Sequence, residues 1–149
     1  MTTLAATEIE NLTLRIEQEI RVKASLEVTF DALLEQLGPG SETPGAPMPM
    51  IIEAWPGGRW FRDLGNGNGH YWATVQAIKR PTLLEFNGPL FMSHPVTNNV
   101  QYRLSHENGE TIIKFVHAGF GLVSEEHRKG VTIGWTFIHE ELRKRAEKK

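Results

Sequence analysis

The C-terminal stretch Ser124–Lys149, SEEHRKGVTIGWTFIHEELRKRAEKK, decides how the rest of the chain must be arranged. Its serine can cap free backbone N–H groups, two glutamates follow, and basic residues end the stretch, which matches the charge preference of a helix dipole. Four apolar residues recur at helical spacing: Val131, Trp135, Ile138 and Leu142. A helix of this length spans about 36 Å, roughly the width of one domain, so the remaining chain must wrap around it.

The window Gly130–Phe137 allows a second interpretation. Val131, Ile133 and Trp135 also alternate as in a strand, and a glycine inside a helix costs about 1 kcal/mol relative to alanine. The flanking residues favour a helix, because both flanks are rich in charge and no turn signal separates them from the window. Gly130 and Gly134 would then form a helix face that other groups can approach closely.

Composition excludes several classes of protein. The chain has 149 residues, which predicts one domain over 1–149 with a loose lead-in over 1–11. Its net charge of −2 argues against a nucleic-acid-binding face. The absence of cysteine excludes disulfides and thiolate metal sites. Because no apolar run or signal-peptide pattern is present, we expect no membrane span and a cytoplasmic location.

The order of elements predicts an α+β fold. Alternation over Leu12–Lys23 predicts a strand with one buried face, and Ser25 begins a short helix that ends at Leu37. A loop rich in glycine and proline follows over Gly38–Pro49. Then comes a meander of about six strands: Ile51–Trp55, Arg59–Asp63, His70–Ile78, Leu83–Asn87, Asn98–His106 and Thr111–His117. An antiparallel sheet with helices on one face follows from this order.

A curved sheet around a straight helix leaves space between the two. Apolar space of this kind is the usual place for a ligand pocket. Aromatic residues are concentrated in the middle strands, and Tyr71 and Ala73 are expected to share one inward face. The alternative is an ordinary core in which large and small side chains pack together.

Four short motifs carry a resemblance to a known family. They are VTFDAL at Val28–Leu33, PGGRW at Pro56–Trp60, PTLLEF at Pro81–Phe86, and Gly134-Trp135. In this order they resemble the START/Bet v 1-like (SRPBCC) helix-grip superfamily, in particular the AHSA1-like domains related to the activator of Hsp90 ATPase. The resemblance covers about residues 12–147 and implies a curved antiparallel sheet of about six to seven strands wrapped around the C-terminal helix.

The resemblance also implies functions. Most members hold an apolar small molecule or lipid in the cavity, a few catalyse cyclisation or hydrolysis there, and some serve protein partners. We therefore expect binding of a small, largely apolar or aromatic ligand, with a cavity enzyme and an Hsp90 co-chaperone-like module as alternatives. This chain departs from many relatives in its glycine- and proline-rich loop Ser41–Met50, and no polar set matches a catalytic signature.

The candidate ligand-binding residues come from the middle strands, the loop Gly88–Pro95 and the last helix. The loop is unusually apolar and is interpreted as a lid, a buried plug or a partner contact, including a homodimer contact at Phe91 and Met92. The full set is Trp55, Arg59, Trp60, Tyr71, Phe86, Phe91, Met92, His94, Tyr102, Trp135 and Ile138.

Histidines are the candidates for acid–base chemistry. His94 lies in the loop, and His117 follows Phe115 on one face of the last strand, where a hydrogen-bonded structural role is the alternative. No histidine pair has the spacing of a metal site, so we expect neither a metal nor a cofactor.

Overall fold

The computed structural model describes residues 10–91 and 93–149. It confirms the α+β helix-grip architecture: seven strands form one antiparallel sheet in the order β1-β9-β8-β7-β6-β5-β4, and a long C-terminal helix follows the last strand. The strands of this sheet are β1 (Thr13–Val22), β4 (Ile51–Ile52), β5 (Arg59–Gly65), β6 (Asn68–Lys79), β7 (Leu83–Gly88), β8 (Val96–Glu107) and β9 (Glu110–Gly121). A separate two-stranded sheet pairs β2 (Glu42–Thr43) with β3 (Ala46–Pro47) inside the glycine- and proline-rich loop.

The first strand alternates as its sequence predicts. Leu14, Ile16 and Val22 are buried while the charged residues between them are exposed. β1 pairs along its whole length with β9, from Thr13 opposite Phe120 to Val22 opposite Thr111. Gln18 falls on the same face as the buried residues, so this edge brings one polar side chain toward the inside of the sheet.

The short helix α1 (Leu26–Leu37) begins where predicted. The Ser25 hydroxyl accepts a hydrogen bond from the Val28 backbone N–H, at 3.1 Å, and Phe30 and Leu33 are fully buried. The last residue of this helix is bonded to the sheet: the Trp60 indole N–H donates to the Leu37 carbonyl at 2.7 Å. This bond fixes the inward orientation of Trp60 on β5.

The C-terminal helix α2 (Glu125–Glu147) confirms the helical interpretation of the glycine window. Ser124 accepts a hydrogen bond from the His127 N–H, and the buried stripe is Val131, Trp135, His139, Leu142 and Ala146. The strand interpretation is wrong: Val131 is 2% exposed and Ile133 is 71% exposed, so the two side chains lie on opposite sides of the element.

Two predicted details of the middle strands are wrong. The strand predicted at Ile51–Trp55 ends at Ile52, because Trp55 already belongs to a turn closed by the bond from the Gly58 N–H to the Trp55 carbonyl. In β6, Tyr71 and Ala73 do not share an inward face. Ala73 pairs with Trp60 while Tyr71 pairs with Phe61, so Trp72 is an extra residue in a β-bulge.

We predict that Val131→Ala lowers the free energy of unfolding by about 2 kcal/mol, because the substitution removes buried methyl groups next to the sheet. Ile133→Ala, the matched control two residues away, should change it by less than about 0.5 kcal/mol. Urea denaturation at low protein concentration measures both. Equal losses for the two variants would contradict the helical arrangement.

Candidate functional site

The space between the sheet and α2 is filled by aromatic side chains. Trp60 stacks on Phe86 with ring centroids 4.8 Å apart, and Phe115 contacts both Tyr102, at 5.0 Å, and Trp135, at 4.8 Å. All five rings are almost completely buried. These five rings therefore fill the interior as a packed aromatic core, and open space lies beside them.

Trp72 and Phe91 form the outer edge of this aromatic core. The β6 bulge turns Trp72 inward, where its ring meets Trp60 at 5.0 Å and Phe91 at 5.4 Å. Phe91, from the loop between β7 and β8, also meets Trp135 at 6.1 Å. One phenyl ring from the loop thus lies between a tryptophan of the sheet and a tryptophan of the helix.

A cleft of about 460 Å³ opens on the outer side of these two rings. Trp72 and Phe91 contribute aromatic surface to it, and polar groups come from the β5–β6 hairpin. The lining residues are Met48, Arg62, Gly69, His70, Tyr71, Trp72, Pro89, Leu90, Phe91 and Ser93. This volume falls within the range of small-molecule pockets, about 300–1,000 Å³.

The loop is attached closely to the sheet at its first residues. A side chain at Gly88 would collide with the backbone of β6, because its Cβ would lie 2.3 Å from the Trp72 carbonyl oxygen. Leu90 adopts a left-handed backbone conformation with φ of 57° while its side chain is only 3% exposed. The Leu90 N–H donates to the Trp72 carbonyl at 2.8 Å. Burial thus holds Leu90 in a backbone conformation that costs about 1–2 kcal/mol.

A buried hydrogen-bond chain connects the helix to this loop. The Trp135 indole N–H can only donate, so it donates to His117 Nδ1, at 3.0 Å, and the imidazole proton must be on Nε2. His117 Nε2 then donates to Asn98 Oδ1, at 2.7 Å. The Asn98 amide nitrogen donates to the carbonyls of Gly88 and Pro89, at 3.1 and 3.3 Å. Burial lowers the pKa of His117 to about 4, so the neutral ring is the native form.

A second hydrogen-bond chain runs from the buried core to the exposed edge of the molecule. The Thr136 hydroxyl donates to the Thr132 carbonyl and accepts from Gln18 Nε2, which turns Gln18 Oε1 toward His139. His139 Nδ1 donates to that oxygen at 2.6 Å, and Nε2 accepts from the Tyr102 hydroxyl at 2.9 Å. Burial lowers the pKa of His139 to about 3 and raises the pKa of Tyr102.

The histidine of the loop lies on the outside. His94 is exposed, and its Nε2 lies 3.3 Å from Nδ1 of His127 in the first turn of α2. This contact attaches the far end of the loop to the helix. Among residues 10–91 and 93–149, no group of three metal-ligating side chains is arranged to hold an ion.

The structure brings some predicted site residues together. Trp60, Phe86, Tyr102 and Trp135 lie in the buried core, and Phe91 and Ile138 pack against it half-buried. Tyr71 lines the cleft and is 47% exposed. A homodimer contact was predicted at Phe91 and Met92. Met92 lies outside the described residues, and the side chain of Phe91 is turned inward.

Besides His94, the predicted residues Trp55 and Arg59 do not reach the site. Trp55 belongs to the turn before β5 and is 58% exposed. Arg59 points away from the core, where its guanidinium binds both carboxylate oxygens of Glu53, at 2.8 and 3.1 Å, and lies over the Phe61 ring. These hydrogen bonds lower the pKa of Glu53 to about 2. Arg59 is already paired and does not supply the predicted polar contact.

Four residues of the site were missed by the sequence interpretation. Trp72 was missed because the alternation that predicts one face for Tyr71 and Ala73 does not reveal the bulge. Asn98, Gln18 and His139 are polar residues on inward faces, and two of them carried a signal. Gln18 interrupts the apolar face of β1, and His139 follows Val131 and Trp135 at four-residue spacing.

Comparison with known proteins supports the fold and no more. No protein-family model matches the chain. No curated protein matches it either. Similar solved structures include Ara h 8.0201, the Aha1 dimer from Colwellia psychrerythraea, and CalU16 from Micromonospora echinospora.

All three are distant in sequence. Ara h 8.0201 is 15% identical with a TM-score of 0.69, and the match covers 92% of this chain and 99% of that one. Aha1 is 16% identical with a TM-score of 0.68, and the match covers 90% of this chain and 96% of that one. CalU16 is 18% identical with a TM-score of 0.62, and the match covers 89% of this chain and 75% of that one. The chain therefore has the Bet v 1-like/AHSA1-like helix-grip fold.

Within the described part of the chain, no helix is long and apolar enough to cross a membrane.

We predict that acid destabilises the protein through its two buried histidines. Both have a folded-state pKa below the ordinary value of 6.5, so the unfolded chain binds more protons below that pH. The stabilisation is complete above pH 6.5 and is lost as the pH falls toward 4 and then 3. Protonated His117 would also direct an N–H at the Trp135 N–H, which cannot accept.

The measurement is urea unfolding between pH 7 and pH 4. His117→Gln should lower stability at pH 7 and remove roughly 2–3 kcal/mol of the decrease toward pH 4. The exposed His106→Gln variant serves as the control and should retain the full decrease. An unchanged pH slope in His117→Gln would contradict this assignment.

Proposed function

Because the chain has the helix-grip fold, we propose that it binds a small, largely apolar or aromatic molecule or lipid at the edge of the space between the sheet and α2. The site is the cleft beside the loop Gly88–Pro95. One observation carries the proposal: the β6 bulge places Trp72 so that one side packs on Trp60 and Phe91 while the rest lines an open cleft of about 460 Å³.

The polar lining of the cleft suggests the character of the ligand. Arg62 and His70 come from the β5–β6 hairpin on the side opposite the loop. Within residues 10–91 and 93–149, Arg62 forms no ion pair, whereas Arg59 of the same strand is paired with Glu53. An unpaired guanidinium next to an aromatic surface suits a ligand that combines an apolar body with an anionic group.

The loop is proposed to act as a lid over the interior. The Phe91 ring lies between Trp72 and Trp135, a place that an aromatic ligand ring could occupy if the loop moved outward. Two features favour such movement: the left-handed Leu90 stores strain, and the His94–His127 contact at the far end is exposed. The loop then controls access to the aromatic core.

The alternative functions lack an observation of their own. A cyclase or hydrolase using His117 as acid or base conflicts with the geometry, because both ring nitrogens of His117 are engaged in hydrogen bonds. His94 has a solvent-exposed ring but does not line the cleft. An Hsp90 co-chaperone-like role rests on fold likeness alone. Ligand binding is therefore the function that we propose.

We predict that 8-anilinonaphthalene-1-sulfonate, which joins aromatic rings to an anion, binds in the cleft. Trp72→Ala should weaken its binding by about tenfold or more, because the main aromatic surface is lost. Arg62→Gln should weaken it about threefold to tenfold through loss of the charge pair. Isothermal titration calorimetry gives the affinities.

Trp55→Ala is the matched control for this experiment. It removes a tryptophan that is exposed and outside the cleft, so dye binding should not change. Equal effects of Trp55→Ala and Trp72→Ala, or no effect of Trp72→Ala, would contradict a site in this cleft. Circular dichroism confirms that each variant is folded.

We also propose that the chain forms a homodimer. The support is that the Aha1 structure from Colwellia psychrerythraea, which is similar to this chain in fold, is a dimer. The sequence predicts a dimer contact at Phe91, but the Phe91 ring packs inward against Trp72 and Trp135.

A further inference from the structure

α2 contains two glycines: Gly130 is exposed on its outer face, and Gly134, one residue before buried Trp135, is half-buried on its flank. Within the described part of the chain, a Cβ added at either glycine would meet no heavy atom within 4 Å apart from its own helix turn and chain neighbours, and neither residue has a positive φ. Each costs about 1 kcal/mol of helix stability relative to alanine. Packing within the chain therefore does not explain them. Glycines on a helix surface allow another backbone to approach closely.

Around these glycines the helix exposes apolar side chains on the side opposite its buried stripe. Ile133 is 71% exposed, and Phe137 is only half-buried one turn further on. Along this face, residues recur at alternating steps of four and three, as on a helix that packs against another helix. They are Glu126, Gly130, Ile133, Phe137, Glu140 and Lys144.

The charges on this face are self-complementary in one orientation. If a second α2 lies antiparallel, with a two-fold axis at the level of Trp135, Ile133 faces the partner's Phe137. Glu126 then faces the partner's Lys144. A parallel pair would instead place Glu126 against Glu126 and Lys144 against Lys144. Only the antiparallel pair matches opposite charges at both ends around the apolar centre.

We infer that two copies of this chain associate through the outer faces of their α2 helices, antiparallel about a two-fold axis. This inference rests on the proposed homodimer and specifies its interface. Gly130 allows the two helices to approach closely, Ile133 and Phe137 form the apolar centre, and the Glu126–Lys144 pairs fix the orientation. The apolar centre is small, so we expect a weak dimer with a dissociation constant in the micromolar range.

The test is a charge exchange followed by sedimentation velocity over a range of protein concentrations. Glu126→Lys and Lys144→Glu should each weaken the dimer roughly tenfold, because each creates two like-charge contacts per dimer. The double variant Glu126→Lys/Lys144→Glu should recover the affinity to within about threefold of the unmodified chain. Recovery requires that both residues meet across one interface between identical copies.

Matched controls separate the interface from general effects. Glu27→Lys reverses a glutamate in the first turn of α1, as Glu126→Lys does in α2, and should leave association unchanged. Ile133→Glu should abolish the dimer, whereas Leu64→Glu, at another exposed aliphatic residue, should not. Circular dichroism verifies folding of each variant.

The outcomes are distinct. A dimer that responds to single exchanges and recovers in the double variant supports the α2 interface. An unmodified chain that stays monomeric at near-millimolar concentration overturns both the homodimer and its interface. A dimer that forms but ignores Glu126→Lys and Ile133→Glu, or does not recover in the double variant, overturns the α2 interface alone. None of these results depends on ligand binding in the cleft.

Discussion

The position of Trp135 is the constraint on which the rest of the structure depends. Its indole packs on Phe115 of the sheet and on Phe91 of the loop, and its N–H donates to His117. One side chain of α2 therefore contacts both the sheet and the loop between β7 and β8. Because the indole N–H can only donate, this single bond also fixes which nitrogen of His117 carries the proton.

Two series of hydrogen bonds that reach into the core fix how the aromatic side chains are oriented. Aromatic rings alone tolerate several arrangements, whereas a buried imidazole must satisfy both nitrogens with matching partners. His117 connects the helix to Asn98 and so to the first residues of the loop, and His139 connects Tyr102 to the edge strand through Gln18. The loop conformation and the helix position are thereby linked through hydrogen bonds rather than through apolar contact alone.

The bulge in β6 determines where a ligand can bind. Without the extra residue, Trp72 would point to the opposite face of the sheet, because side chains alternate along a strand. With it, Trp72 reaches Trp60 and Phe91 and also borders the open cleft. The bulge thus places an aromatic side chain, Trp72, where it both packs on the core and is accessible from the cleft.

The sequence by itself determined the fold class, the long C-terminal helix, the alternation of β1 and most strand positions, because these follow from periodicity, caps and turn residues that act over short distances. It also identified Phe86, Tyr102 and Trp135 as inward residues, but not which face of the strand at Trp60 points inward. Only the tertiary structure decided the strand face at Trp72, the outward place of Trp55, the pairing of Arg59 with Glu53, the inward role of Asn98 and the hydrogen-bond partners of Gln18 and His139. These depend on strand register and on partners that lie far apart in sequence, about which a local pattern carries no information.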